Sequence, residues 1–326
     1  MVFLGHSGVN LGIVTNLWQT FFMSAFFFFS GYYFRALPFK ESVSKDIRSL
    51  LSVYYIWALG ILVLVIAFET LALHIWPPSQ EYMTLLKETS LGIDQHGFVS
   101  QLWFLVALFT VRLMWNLLCR LFKTNYWKLL SVGVILLLGI ILNLMGWKGS
   151  PFRLVTAMII LPVFVCGVYA GKYRILDERP ADSHSRFSPF LNWWQFGILV
   201  LIWLLGSWTN YSLFGRTVSF WGEVYNFHPL FFLNALSGIL VFFNVATMIE
   251  KSKSLLLGAV ESFFTLFGEN SLPAFVSMNL CIEIALRVLG IVGIRQNWLV
   301  CILAILLELP TIWLLKQKPF KWLIAR

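Results

Sequence analysis

The residue of this sequence best suited to proton chemistry lies near its start. His6 follows a short apolar segment and precedes the aromatic-rich run FFMSAFFFFSGYYF at residues 21–34. An imidazole accepts and returns a proton close to neutral pH because its ordinary pKa is about 6.5. His6 is therefore a candidate general base, and the alternative is an interfacial histidine that only ends a helix.

Ionisable residues also occur inside long apolar segments, where each costs about 2.5–3.5 kcal/mol at the centre of a bilayer. Glu283 and Arg287 are four residues apart. We therefore expect them to neutralise each other on one helix face. Arg112 needs an acidic partner as well, and Glu308 from another apolar segment is the candidate. One interpretation of Arg112 is thus an ion pair with Glu308.

The elements that position these residues must be membrane helices. Hydrophobic residues make up 59% of the 326 residues and charged residues only 12%. A soluble domain carries about 25% charged residues. The net charge of +9 is spread along the chain without a Lys/Arg-rich run. We therefore interpret it as loop charge that sets the orientation of the protein in the membrane, and not as a surface for nucleic acid. The composition excludes a soluble globule and predicts an integral membrane protein.

Windows of about 19 residues identify about nine apolar segments long enough to cross a bilayer. They run over about residues 16–34, 51–73, 101–122, 127–147, 152–171, 190–209, 227–249, 271–293 and 297–315. Residues 255–267 are too few to span, and residues 74–100 and 172–189 are the longest polar loops. We predict an all-α fold, a polytopic transmembrane helix bundle of about nine full spans plus a truncated first helix. It forms one integral membrane domain over residues 1–326.

Lysine and arginine are denser in alternate loops. The richer set includes the loops around Lys45, Arg179 and Lys251, together with the C-terminal segment. By the positive-inside rule the C-terminus is cytoplasmic, and residues 1–12 then lie at the outer face. Only five residues precede His6, too few to cross the membrane. We expect about 15 further, mostly apolar residues upstream of them.

All four cysteines fall within or beside apolar segments: Cys119, Cys166, Cys281 and Cys301. We interpret them as apolar packing residues, with neither a disulfide nor a metal. CxxC, HExxH, Walker and GxGxxG signatures are absent from the sequence, so no metal or nucleotide motif is recognised.

Several short motifs occur in order along nearly the whole chain. They are Gly5-His6-Ser7, Ser30-Gly31-Tyr32, the segment from Lys45 through Arg48 to Trp57, Leu102-Trp103-Phe104-Leu105, and Gly268-Glu269-Asn270-Ser271-Leu272. In this order they resemble the membrane-bound acyltransferase 3 family, whose members usually end a first helix with a histidine. The chain departs from the family pattern at Val53, where proline is common, and at Met278, where many members have histidine.

The resemblance implies an O-acetyltransferase of the plasma (bacterial inner) membrane. Its donor would be acyl-CoA, most simply acetyl-CoA, and its acceptor a hydroxyl of a cell-envelope or exported carbohydrate. His6 would be catalytic, and Lys45 and Arg48 would hold the CoA phosphates unless they are ordinary cytoplasmic loop charge. Arg112 would extend this cationic path if it is not paired with Glu308. The implied partners are acyl-CoA, the glycan acceptor, the lipid bilayer and, as candidates, glycan-assembly proteins; no metal is implied.

Three polar residues lie at predicted outer helix ends or in outer loops: His96, Glu223 and His228. They either line the mouth for the acceptor or are solvated loop residues.

Two other functions remain open at this point. A membrane transporter or exporter of glycan or lipid-linked intermediates would carry inverted repeats and helices broken near mid-membrane, and the sequence shows no such symmetry. The other is an inactive acyltransferase homologue, because the first helix would lack its beginning.

Overall fold

A computed structural model describes residues 12–72, 79–93, 101–176, 192–252, 254–291, 293, 296–318, 320 and 323. Most of these residues are helical, and an isolated antiparallel bridge joins Ser219 to Val224. Nine of the described helical segments are long and apolar enough to cross a membrane. The predicted all-α polytopic bundle is thus confirmed. Residues 1–11, where the truncated first helix is predicted, lie outside the described residues.

The helices of the described chain are numbered in order. They are α1 (Ile13–Tyr32), α2 (Phe39–Asp46), α3 (Ser52–Ala72), α4 (Ser79–Leu91), α5 (Trp103–Leu121), α6 (Asn125–Leu144), α7 (Leu154–Lys172), α8 (Trp193–Phe214), α9 (His228–Glu250), α10 (Leu255–Glu269), α11 (Ser271–Ile291) and α12 (Asn297–Leu315). A π-helical turn, Ile47–Leu51, joins α2 to α3, and a 3₁₀ turn, Pro151–Arg153, precedes α7. Helix α10 is too short to span and leads into α11, as predicted.

The segment predicted as a loop over residues 74–100 contains helix α4. The hydroxyls of Tyr54 and Tyr55 in α3 donate to the backbone carbonyls of Thr89, at 2.6 Å, and Ser90, at 2.8 Å. These bonds attach the C-terminal end of α4 to α3. Because α4 has few apolar residues, tertiary contacts rather than a hydrophobic stretch stabilise it, and a hydropathy window does not detect it.

Helices α1, α5 and α7 run in the same direction. Phe28 and Tyr32 of α1 meet Gly167 and Gly171 of α7 in that order. Helix α5 also meets α1 in order, first at Phe104 and then at Arg112. Their C-terminal ends therefore share one end of the bundle. Arg35, Arg120 and Lys172 lie at or just beyond these ends, and we call it the basic end. This arrangement agrees with the alternation of loop charge in the sequence.

Glycines bring the backbones of α1 and α7 into contact. A Cβ atom added at Gly167 would lie 1.9 Å from the carbonyl oxygen of Phe28. One added at Gly171 or Gly31 would lie 2.1 Å from a carbonyl oxygen of the facing helix. Gly167 and Gly171 are four residues apart, the spacing of small residues that lets membrane helices approach closely. No larger side chain fits in this contact.

The main core surrounds α5 and α7, which are buried along most of their length. Aromatic rings fill it, and Phe104 packs against Phe27 at 5.1 Å and against Phe275 at 5.5 Å. Helices α11 and α12 bury a smaller cluster of their own between them: Met278, Cys281, Ile282, Ala285, Val300 and Ala304. The α11–α12 pair is thus packed partly independently of the main core.

Candidate functional site

Arg112 of α5 forms an ion pair with Asp46 at the end of α2. The Nε atom donates to Asp46 Oδ1 at 2.8 Å, and the two side chains are 17% and 3% exposed. The predicted pair of Arg112 with Glu308 is wrong, because Glu308 of α12 is hydrogen-bonded to Ser277 of α11. The acidic partner comes instead from the segment that precedes α3.

Two further contacts hold the Arg112 guanidinium in place. Its Nη1 donates to the Ser30 hydroxyl at 3.3 Å, and its Cζ lies 5.4 Å from the centroid of the Phe34 ring. Ser30 opens the Ser-Gly-Tyr motif of the sequence. A guanidinium carries five N–H donors, so the bonds to Asp46 and Ser30 leave donors for a ligand.

A cavity of about 220 Å³ lies beside Arg112 at the basic end. Its charged lining residues are Arg35, Lys45, Arg112 and Asp46. Three cations thus face one carboxylate, and that carboxylate is already paired with Arg112. We call this cavity the cationic mouth. Converging cations of this kind attract anions, and phosphate groups accept charge-assisted hydrogen bonds from both arginine and lysine.

A second cavity, of about 460 Å³, adjoins the cationic mouth. Most of its walls are apolar side chains of α1, α5 and α11: Phe26, Phe29, Phe104, Leu105, Leu108 and Phe275. Tyr33, Ser49 and Arg112 line both cavities, so the two share a wall. We call the second cavity the apolar chamber. Together the two cavities suit a ligand with an anionic head and a less polar tail.

The fold places the two predicted phosphate-binding cations, Lys45 and Arg48, in different surroundings. Lys45 lines the cationic mouth, whereas Arg48 is exposed and lines neither this mouth nor the apolar chamber. A π-helical turn begins at Ile47, and Ser49 rather than Arg48 lines the same cavity as Lys45. Single π turns often occur at functional sites because they rotate side chains out of α-helical register.

Glu223 is neither a solvated loop residue nor an open acceptor ligand. It is 2% exposed, and its Oε1 and Oε2 accept hydrogen bonds from the Thr156 hydroxyl at 2.7 Å and the Gly149 N–H at 3.0 Å. Its backbone carbonyl accepts a third bond from Asn143 at 2.9 Å. The alternative of solvent exposure is therefore wrong, and Glu223 ties the α8–α9 loop to α6 and α7.

Glu223→Gln should be tolerated, whereas Glu223→Ala should lower the free energy of unfolding by about 1–3 kcal/mol. A glutamine can accept from the Gly149 N–H and donate to the Thr156 hydroxyl, which both donates and accepts. Alanine leaves both groups buried without a partner. Thermal unfolding in mild detergent measures the difference, and equal losses for the two variants would show that the charge itself is required.

His228 and Tyr225 form a buried polar pair in the same region. The His228 ring lies 5.7 Å from the Tyr225 ring, and its Nε2 has no hydrogen-bond partner among the described residues. Burial raises the pKa of the Tyr225 hydroxyl above its ordinary value, so the phenol stays neutral at physiological pH. A neutral phenol and an unpaired imidazole nitrogen are suited to hydrogen-bonding a hydroxylated molecule.

Other predicted residues have simpler outcomes. His6 and His96 lie outside the described residues. Glu283 and Arg287 form the predicted pair on one helix face, with Arg287 Nε 3.0 Å from Glu283 Oε1. All four cysteines are free thiols.

Sequence reasoning did not assign Arg35, Asp46 or Tyr225 to a site. Arg35 belongs to the loop charge that indicates only orientation, and Asp46 lies in the same basic motif as Lys45. A signal for Asp46 was present, because an acidic residue inside a basic motif is the natural partner of a membrane arginine. Tyr225 has no comparable signal in a polar loop.

Comparison of the chain with models of protein families, with curated proteins and with solved structures finds no match.

Proposed function

We propose that this protein transfers an acyl group, most simply acetyl, from acyl-CoA to a hydroxyl of a cell-envelope or exported carbohydrate. The observation that carries the proposal is the cationic mouth directly beside the apolar chamber. The phosphates of CoA carry several negative charges, and its pantetheine arm and acyl group are far less polar. A donor bound in this way places its phosphates at Arg35, Lys45 and Arg112 and its thioester in the chamber.

The order of motifs along the chain supports the same function. Ser30 of the Ser-Gly-Tyr motif bonds Arg112, Lys45 opens the basic motif, and Phe104 and Ser271 from two further motifs line the apolar chamber. Residues that resemble the acyltransferase 3 family at separate points of the sequence thus lie around one pair of cavities. In this proposal the basic end faces the cytosol of a bacterial inner membrane, where CoA is present.

The reaction breaks the thioester C–S bond and forms an ester C–O bond. The acceptor hydroxyl loses its proton, and the departing thiolate of CoA gains one. We assign His6 as the general base that takes the hydroxyl proton, because imidazole exchanges protons near neutral pH. His228 and Tyr225 are the described residues suited to orient the acceptor hydroxyl. Apolar walls around the thioester exclude water, which limits hydrolysis of the donor.

Donor binding tests the proposal. Lys45→Ala and Arg35→Ala should each weaken acetyl-CoA binding about tenfold, because each removes a charge-assisted contact of about 1.5 kcal/mol. Arg48→Ala is the matched control. It removes the same charge three residues away, outside both cavities, and should leave the affinity unchanged.

The measurement is equilibrium binding of labelled acetyl-CoA to the purified protein in lipid nanodiscs. Transfer to envelope glycan, followed in membranes with the same label, completes the test. Absence of saturable binding would contradict the proposal. Equal losses for Lys45→Ala and Arg48→Ala would contradict the assignment of the cationic mouth.

A further inference from the structure

Glu308 of α12 is buried inside a membrane-spanning helix, and no described residue forms an ion pair with it. The residue is 0% exposed and lies between apolar residues of the α11–α12 pair. Neither the Arg112–Asp46 ion pair nor the Arg287–Glu283 ion pair involves Glu308. An ionised carboxylate in such a place costs several kcal/mol unless it is paired, so a neutral carboxylic acid is favoured.

The hydrogen bonds of Ser277 indicate the protonation state independently. Ser277 Oγ is hydrogen-bonded to Glu308 Oε1 and also lies 2.8 Å from the carbonyl oxygen of Pro273. The serine hydroxyl has one hydrogen and can donate to only one of these two oxygens. With an ionised Glu308, one of the two close oxygen pairs would have no hydrogen between them.

A protonated Glu308 removes this conflict. Its own O–H donates to Ser277 Oγ, and the Ser277 hydroxyl donates to the Pro273 carbonyl. The remaining surroundings are neutral as well. The Cys281 thiol of α11 faces the carboxyl, and Thr311 of α12 lies 3.7 Å from that thiol. The second oxygen, Oε2, is buried and has no hydrogen-bond partner in the described part of the chain, as expected for the carbonyl oxygen of an acid.

We propose that Glu308 is a proton-binding site within the membrane, a neutral carboxylic acid that lipid-soluble carbodiimides modify. Leu306 and Leu309, which flank Glu308 in α12, are exposed on the surface of the bundle. The buried carboxyl is therefore close to the lipid-facing side of its helix. Pro310, two residues after Glu308, leaves the Leu306 carbonyl without its helical N–H partner, which weakens the helix at this point.

The chemistry of the modification is an addition. The acid gives its proton to a carbodiimide nitrogen, and its oxygen bonds to the central carbon. With water excluded, the acyl group then shifts from oxygen to nitrogen to give a stable N-acylurea. No group leaves and no oxidant is needed, so the product gains the mass of one carbodiimide. An ionised carboxylate lacks the proton that activates the reagent.

Infrared spectroscopy of the whole protein in nanodiscs tests the proton directly. At about pH 8, where exposed glutamates are ionised, the wild type should show the carbonyl band of a neutral acid. Glu308→Gln should abolish that band. Glu283→Gln is the matched control on α11, because it removes a glutamate paired with Arg287, and it should leave the band unchanged. A wild type without the band, or a band that survives Glu308→Gln, would overturn the proposal.

A second measurement needs no variant. Wild-type protein treated with a lipid-soluble carbodiimide at about pH 8 should carry the label on the peptide that contains Glu308. The peptide that contains Glu283 should stay unlabelled. Label confined to other peptides, or absent from the Glu308 peptide, counts against the proposal. Because neither experiment involves acyl-CoA, their outcome is independent of the proposed function.

Discussion

Gly167→Ala should lower the stability of the bundle by about 3 kcal/mol or more, beyond the usual cost of one extra methyl group. The added Cβ would lie 1.9 Å from the carbonyl oxygen of Phe28, and that oxygen belongs to helix backbone, which cannot rotate away. Helices α1 and α7 would have to separate along their whole contact. The yield of monodisperse protein in mild detergent and its midpoint of thermal unfolding both measure the effect.

Gly133→Ala is the matched control for that substitution. Gly133 also lies inside a membrane helix, α6, but a Cβ added there meets nothing within 4 Å. Alanine favours helix over glycine by about 0.5–1 kcal/mol, so this variant should be as stable as the wild type or slightly more stable. If both alanine variants behaved alike, the close backbone contact of α1 with α7 would be refuted.

His6→Ala should reduce acyl transfer by about 10²–10⁴-fold, the usual contribution of a general base. Binding of acetyl-CoA should be unchanged, because the proposed donor contacts are Arg35, Lys45 and Arg112. The assay follows labelled acetyl groups from acetyl-CoA into envelope glycan in membranes that contain equal amounts of each variant.

Lys45→Ala provides the complementary result. It should raise the acetyl-CoA concentration needed for half-maximal transfer, while the rate at saturating donor stays close to that of the wild type. His6→Ala should do the reverse. An alanine variant at position 6 that transfers acetyl at the wild-type rate would exclude His6 from the mechanism, without affecting the assignment of the cationic mouth.

The sequence predicts the membrane spans well because an apolar stretch of about 20 residues has few alternatives to a spanning helix. Pairing between spans is harder to predict, as Arg112 illustrates. Hydropathy favours Glu308 as its partner, because Glu308 lies in another apolar segment. The π-helical turn after Asp46 and the parallel course of α1 and α5 decide the actual partner, and neither is encoded in hydropathy.

The region around Glu223 shows a second limit. Polar residues between two apolar segments predict a solvated loop, yet this loop folds into the bundle. Residues Glu223 and Asn226 have left-handed backbone conformations, with φ of 51° and 57°, that turn the chain inward. Such conformations are uncommon outside glycine and leave no mark in the pattern of apolar and polar residues. The sequence therefore does not show that Tyr225 and His228 are buried next to each other.

The apolar chamber has one wall that differs from the others in how it is anchored. Helix α1 is held to α7 by close glycine contacts, and α5 is buried in the same core. Leu272 and Phe275 belong instead to α11, whose main partner is α12. We therefore expect a ligand with a longer tail to make room by displacing the α11–α12 hairpin toward lipid rather than by separating α1 from α7. In the proposed reaction, the longest acyl chain that the donor can carry would then depend on how strongly that hairpin packs against the core. It would also depend on the thickness and composition of the surrounding bilayer.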